Sequence, residues 1–315
     1  MSSNEAVNGV LVVDKPSGMT SAKVVSLVKR GLGIKKIGHT GTLDPMATGV
    51  LPLCVGEGTK VAGYLLSADK HYDGEFVLGV QTDTLDREGK VTAEDPEGAK
   101  AVTQEQVLTA MKALTGAIEQ VPPMYSAIRQ NGRRLHSLAR AGEVVEREAR
   151  AVTIHRFALL SFADGRGSFS VEASKGTYVR SLVDDLGRAL GCGAHLAELR
   201  RTRAGRFDLN DAIALETLLE MKTMPVLDPA EAISHLPRFE LPSDLVRDVA
   251  DGKRLAWQLV SSEEAPTEPF ALLTPDGKAL IAIAEVDEEK LRYRRVFNYG
   301  LTSELRSSNV PAEIV

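Results

Sequence analysis

Hydrophobic positions along the chain switch repeatedly between a strand period and a helix period. Val10 to Val13 form a short apolar block closed by Lys15-Pro16-Ser17-Gly18, which reads as a strand and a turn. Ser21 is placed to cap a helix running to Arg30, with Val24, Val25, Leu27 and Val28 as its apolar positions and Gly31 and Gly33 as its stop. Val50 to Val55 predicts a buried strand, and Thr59 to Leu66 a helix. Tyr72, Phe76, Leu78 and Val80 share one parity, the mark of a strand with one buried face, and Gln81 to Gly89 is a polar loop. Thr103 and Gln106 form a capping box for a helix reaching about Leu114. Val121-Pro122-Pro123 then breaks the chain, Phe169 to Ala173 predicts a strand, Lys175-Gly176 a turn, and Tyr178 to Leu190 a helix. These signals interleave without strict β-α-β order, so the expected class is α+β with a mixed sheet flanked by helices.

Glu240-Leu241-Pro242-Ser243 marks a boundary, followed by short strands and turns: Phe270 to Leu273, Pro275-Asp276-Gly277, then Ala279 to Glu285. The expected organisation is a main domain over 1–240 and a small β-rich module over 241–315. No apolar run reaches membrane-spanning length, and the first eight residues lack the basic-then-apolar pattern of a signal peptide. Cys54 and Cys192 are the only cysteines and have no metal-like spacing, which fits a reducing cytoplasm.

A net charge of −5 argues mildly against a polyanion partner, but the charge is uneven. Residues 207–315 hold 11 Lys and Arg against 20 Asp and Glu, leaving 27 against 23 in the part before them. Basic residues cluster at Lys15, Lys23, Lys29, Arg30, Lys35 and Lys36, again from Met124 to Arg156, and again from Arg188 to Arg206. Three such clusters in one half are what a nucleic-acid footprint requires.

Gly38-His39-Thr40-Gly41-Thr42-Leu43-Asp44-Pro45-Met46-Ala47-Thr48-Gly49-Val50-Leu51 is mostly Gly, Thr, Pro and small apolar residues, with one carboxylate, Asp44, and one imidazole, His39. It can bury little area, but it can hold a tight backbone and present one acid at a fixed point. Asp44 before Pro45 also fits a helix N-cap, which fixes the carboxylate's direction and keeps it ionised. Asp83, Asp86 and Glu88 have no calcium-loop spacing, and no metal site is expected.

This segment, with the upstream Asp14-Lys15-Pro16-Ser17-Gly18-Met19-Thr20-Ser21, resembles the bacterial tRNA pseudouridine synthase B family. The resemblance continues through Asp69-Lys70-His71-Tyr72, Gln81 to Asp86, Met124-Tyr125-Ser126-Ala127, Ser174 to Arg180 and Gly191-Cys192-Gly193-Ala194-His195, and fades after about Phe207. It implies the pseudouridine-synthase fold, with a largely antiparallel central sheet and a PUA-like C-terminal domain. It implies a cofactor-free, metal-free isomerase acting on uridine 55 in the T loop of tRNA, as a monomer without guide RNA or membrane. The uridine must be flipped out of the loop for the base to be detached, turned and rejoined. Asp44 matches the essential carboxylate, which forms a covalent adduct or promotes detachment of the base. Tyr72 matches the tyrosine that lies against the uracil, and Arg180 the arginine that pairs with the carboxylate. Tyr178 and Leu199 match the walls of the base pocket, and His39 the residue that fills the space left by extruded bases. Thr42 and Lys15 complete the substrate-binding set, Lys15 with Pro16 in a motif that supports the catalytic loop. An Arg-rich insertion at about 124–152 matches a segment that closes over the RNA, making Arg129, Arg133, Arg134, Arg147 and Arg150 phosphate-contact candidates. Competing readings are an RNA-folding protein, a guide-dependent relative and an N-glycosidase.

Overall fold

The apolar block after Gly9 becomes a strand, Gly9–Lys15, whose two faces are both covered. A computed structural model of the chain describes residues 7–299 except 127, 131, 144 and 222, and omits the side chains of 129, 130, 134, 136 and 140. Its central sheet runs in the order Ile213–Ala214, Gly9–Lys15, Thr48–Val55, Ala194–Ala204, Lys70–Leu78, Arg166–Ala173, Arg150–Ala163 and Gly116–Gln120. Gly9–Lys15 with Ile213–Ala214 and Ala194–Ala204 with Thr48–Val55 are parallel pairs; the other neighbours in this order are antiparallel. The sheet is therefore mixed and largely antiparallel, and the helices Ser21–Gly31 and Val179–Leu190 pack on it.

Strand alternation assigns the two faces. Leu11, Val13, Leu51 and Leu53 point into one core with Tyr72, Phe76, Leu182 and Leu186. Val10, Val12, Val50 and Cys54 point into a second core. That second core is completed by Phe207 and Ile233 and, from the C-terminal sheet, by Leu273, Leu280, Ile283 and Phe297. The C-terminal sheet has the order Arg238–Glu240, Phe270–Leu273, Leu280–Asp287, Lys290–Val296, so its first strand begins three residues before the expected boundary. It has a core of its own, in which Phe239, Trp257 and Phe270 pack edge to face with ring centroids 5.0–5.3 Å apart.

Several local expectations hold. The Thr103–Gln106 capping box starts the Gln104–Ala113 helix, and Gly191, at φ +81°, ends the Val179–Leu190 helix in the left-handed conformation. Others are revised. Thr20 caps the first helix, accepting from the Lys23 amide at 3.1 Å, and Ser21 is its first residue. Thr59 to Leu66 is not one helix: a 3-10 turn, Gly56–Lys60, precedes Ala62–Leu66. The polar loop at Gln81 opens as a short strand, Val80–Thr82, paired with Val91–Glu94. Asp44 and Pro45 start no helix, because the chain enters the Thr48–Val55 strand within three residues. Gly49, at φ +100°, lies there against the backbone of Arg201, where an added Cβ would sit 2.2 Å from the Arg201 carbonyl oxygen.

Candidate active site

The loop that carries Asp44 is short of side chains, so its shape is imposed from outside. Leu43 is bound on both backbone groups by the Ser21 hydroxyl, which accepts from its amide at 2.8 Å and donates to its carbonyl at 3.1 Å. The Pro45 carbonyl accepts from the Gly18 amide at 2.9 Å and from Lys15 Nζ at 3.1 Å. Ser17 Oγ donates to the Met46 carbonyl at 3.1 Å, and the Ala47 amide to the Asp44 carbonyl at 3.1 Å. Lys15, Ser17, Gly18 and Ser21 thus form a template for residues 43–46.

Lys15 itself has no exposed surface. Its ammonium donates to the carbonyls of Pro16, Met19 and Pro45, and burial lowers its pKa to about 8. Lys15 therefore holds the loop from beneath and offers no direct contact to a substrate, contrary to its place in the expected binding set.

Arg180 fixes the Asp44 carboxylate. It stands on the first turn of the Val179–Leu190 helix and is 3% exposed. Its Nε and Nη2 donate to the two carboxylate oxygens, each at 2.9 Å. Nη1 donates to the Thr84 carbonyl at 2.9 Å and Nη2 also to the Tyr125 carbonyl at 2.8 Å. A second carboxylate, on buried Asp86, lies 3.7 Å from Nε. The planar fork suits this bidentate geometry. The segments Gln81–Asp86 and Met124-Tyr125-Ser126 thus converge on one guanidinium. The Asp44 side chain keeps 31% of its surface exposed, so the acid is fixed on one side and open on the other.

The other expected residues take distinct places. Tyr72 is 9% exposed in the middle of its strand, opposite Val171 and Arg201, and shares a core cluster with Leu43, Met46, Val179 and Leu199. Tyr178 precedes the Val179–Leu190 helix and is clamped by buried Gln120, which accepts from its amide at 2.7 Å and donates to its carbonyl at 3.1 Å. Burial raises the Tyr178 pKa, a hydrogen bond donated by the Ser126 hydroxyl to its phenolic oxygen opposes the rise, and Asp44 and Arg180 lie close enough to act on it. His39 is half-buried at the end of Ile37–His39; burial first, and Arg201 second, lower its pKa, so the ring is neutral at pH 7. Thr42 is exposed on the loop.

Several of the clustered arginines are paired within the protein. Arg188 pairs with Asp184, Arg200 forks onto Asp14, and Arg201 is buried, donating to the carbonyls of Val50 at 2.7 Å and Gly41 at 3.3 Å. The Arg188–Arg206 stretch is therefore largely structural. In the insertion, Arg133 is bidentate with Glu143, Arg147 is half-buried and Arg150 is exposed at the start of Arg150–Ala163. The side chains of Arg129 and Arg134 lie outside the described residues. In the C-terminal strand Lys290–Val296, Arg292 and Arg294 both pair with Glu285. No cluster able to hold a metal ion occurs among the described residues, and among them no helix is long and apolar enough to cross a membrane. Ser21, Gln120 and Arg201 carry no local sequence signal as site-supporting residues.

A family model for the N-terminal domain of TruB family pseudouridylate synthases matches residues 29–179, and one for the C-terminal domain of tRNA pseudouridylate synthase B matches residues 180–238. The chain belongs to the TruB family. It is 45% identical over 291 residues to tRNA pseudouridine synthase B of Stutzerimonas stutzeri, covering 90% of this chain and 93% of that one. It is 50% identical over 254 residues to the enzyme of the same name from Aromatoleum aromaticum, covering 79% and 82%. The likeness therefore runs well past Phe207, beyond the last of the recognisable motifs. Among solved structures, a chain of a Cbf5-Nop10-Gar1 complex superposes with a TM-score of 0.71 at 28% identity, covering 92% of this chain and 85% of that chain. TruB family membership makes the protein a pseudouridine-forming isomerase, and the fold is the pseudouridine-synthase fold with a small C-terminal β domain.

Proposed function

We propose that this chain converts uridine 55 in the T loop of tRNA to pseudouridine, acting alone, as a monomer, in the cytoplasm and without a cofactor. The carrying observation is the Asp44 carboxylate, gripped on both oxygens by buried Arg180 and still partly open to solvent. A carboxylate so fixed can attack the flipped nucleotide or promote loss of its base, and both routes are cut off by one substitution. The bond from the ribose to N1 breaks, the base turns, a bond to C5 forms, and the C5 proton leaves as N1 gains one. Tyr72 lies against the uracil and assists removal of that proton, Tyr178 and Leu199 wall the pocket, and neutral His39 stacks in the space the base vacated. Exposed Thr42 belongs to the same substrate-binding set.

Exposed Arg150 and half-buried Arg147 contact phosphates, joined by Arg129 and Arg134 and by Arg133 once Glu143 releases it. The division into a catalytic domain over 1–240, with its RNA-closing insertion, and a PUA-like module over 241–315 belongs to the same reading. Independence from guide RNA is supported by the 45–50% identity to the tRNA enzymes against 28% to the Cbf5 chain.

The test is tritium release from an unmodified tRNA transcript labelled at uridine C5, with mapping of the modified nucleotide. Release confined to the T-loop uridine with no added factor is expected. Asp44→Asn is expected to abolish release while tRNA affinity stays within about threefold. Turnover by the Asn variant at a comparable rate refutes the role of Asp44, and release that needs a guide RNA refutes the stand-alone reading.

A further inference from the structure

Thr20 and Ser21 are adjacent hydroxyl residues at a helix start, where either could cap. The structure divides two tasks between them. Exposed Thr20 does the capping, with its Oγ1 accepting from the Lys23 amide at 3.1 Å. Ser21, 1% exposed, is thereby freed and turns its hydroxyl away from its own helix. That hydroxyl reaches across 22 residues of sequence to close on Leu43, the residue before Asp44, at both the amide (2.8 Å) and the carbonyl (3.1 Å). It uses its donor and an acceptor on one residue.

On the other side of Asp44, Pro45 is already held twice, by the Gly18 amide and Lys15. On the near side, Ser21 is the side chain that binds the Leu43 backbone among the described residues. The Arg180 fork sets the direction of the carboxylate, but the position of the Asp44 Cα depends on residues 43 and 45 together. We propose that Ser21 is a positioning residue for Asp44. It acts through the Leu43 peptide to place the carboxylate for reaction without touching the substrate. This rests on the isomerase reading above.

The experiment uses the full chain, single-turnover tritium release at saturating tRNA, tRNA binding and thermal unfolding. Ser21→Ala removes both hydrogen bonds; Ser21→Cys keeps the volume but has a longer, weaker donor and acceptor; Ser21→Thr retains the hydroxyl. The Ala and Cys variants are expected to slow single turnover at least about tenfold, since a misplacement of about 1 Å can lower a rate about 10²-fold. Their tRNA affinity stays within about twofold, and Ser21→Thr recovers most of the rate. Thr20→Ala lowers the unfolding temperature and leaves the rate unchanged. Should Ser21→Ala fail to fold, Ser21→Cys decides.

Wild-type rates in both the Ala and Cys variants overturn the proposal. So does an equal slowing by Thr20→Ala, which would trace the effect to a loosened helix. A wild-type chain that releases no tritium overturns the isomerase reading, and the positioning role with it; active wild type with indifferent Ser21 variants overturns the positioning role alone.

Discussion

Arg180→Lys keeps the positive charge at the site and removes the fork. In the wild-type chain the guanidinium makes four hydrogen bonds of 2.8–2.9 Å, two to Asp44 and one each to the carbonyls of Thr84 and Tyr125. A lysine ammonium is a single point with three donors, so it cannot grip both carboxylate oxygens and reach both carbonyls. Hydrogen bonds to charged groups contribute about 1.5–3 kcal/mol each, so losing one of the pair to Asp44 removes about 1.5–3 kcal/mol of positioning. If that holds the carboxylate in its reactive direction, single turnover slows about 13- to 160-fold, at about 1.36 kcal/mol per decade. The abandoned carbonyls lie at a buried guanidinium and cost about 1–3 kcal/mol each when left unsatisfied, so unfolding stability falls by about 2–6 kcal/mol. Single-turnover tritium release at saturating tRNA reads the first effect and urea unfolding the second. A lysine variant that turns over within about threefold of wild type refutes the argument that the fork places the acid. Loss of stability without loss of rate assigns Arg180 to the framework alone.

Four further outcomes are expected. Gly49→Ala puts a Cβ 2.2 Å from the Arg201 carbonyl oxygen at φ +100°, so urea unfolding should show a loss above about 3 kcal/mol, and near-wild-type stability refutes the close approach. Burial lowers Lys15 and Lys70 to about 8, below their ordinary 10.5, so between about pH 8 and 10 the unfolded chain binds more protons than the folded one. Stability therefore rises over that window as the penalty for burying two charged amines is lost, and a lower unfolding free energy at pH 9.5 than at about 7.5 contradicts the assignment. Turnover should fall over the same window, because a neutral Lys15 amine has two donors for three carbonyls. Arg150→Ala should weaken tRNA binding and flatten its dependence on salt by about one unit of log-log slope; an unchanged slope removes Arg150 from the phosphate contacts.

Elements stabilised by their own residues were legible in the sequence. The Thr103–Gln106 capping box and the parity of Tyr72, Phe76 and Leu78 are local, and both appear as read. The pairing of Asp44 with Arg180 was legible only through the family resemblance, since 136 residues separate them. Where two local options had similar energy, distant contacts decided. Thr20 and Ser21 are near-equal caps, and the buried Leu43 backbone recruits Ser21 away. Asp44-Pro45 is a sound helix start in isolation, but Gly49 must lie flat on Arg201 a few residues later, and the helix has no room. By sequence, Arg188 to Arg206 counts toward a nucleic-acid footprint, because arginine is rarely buried. Ala194–Ala204 is instead a central strand, and Arg201 is buried in it because backbone carbonyls of the catalytic loop take up its donors.

The strand that leads into the loop template, Gly9–Lys15, and the one that leads out of the catalytic loop, Thr48–Val55, are covered on their outer face by the C-terminal sheet, with Lys60 donating to the Val296 carbonyl and Tyr299 to Asp228 across the seam. The small domain is thus a backing plate for the strands that aim Asp44, and this holds even if it never touches RNA. It cannot be exchanged between relatives as a free cassette. A chimera stays active only if Val10, Val12, Val50 and Cys54 travel with Leu273, Ile283 and Phe297, so the back of the sheet and the module that covers it form one unit of inheritance.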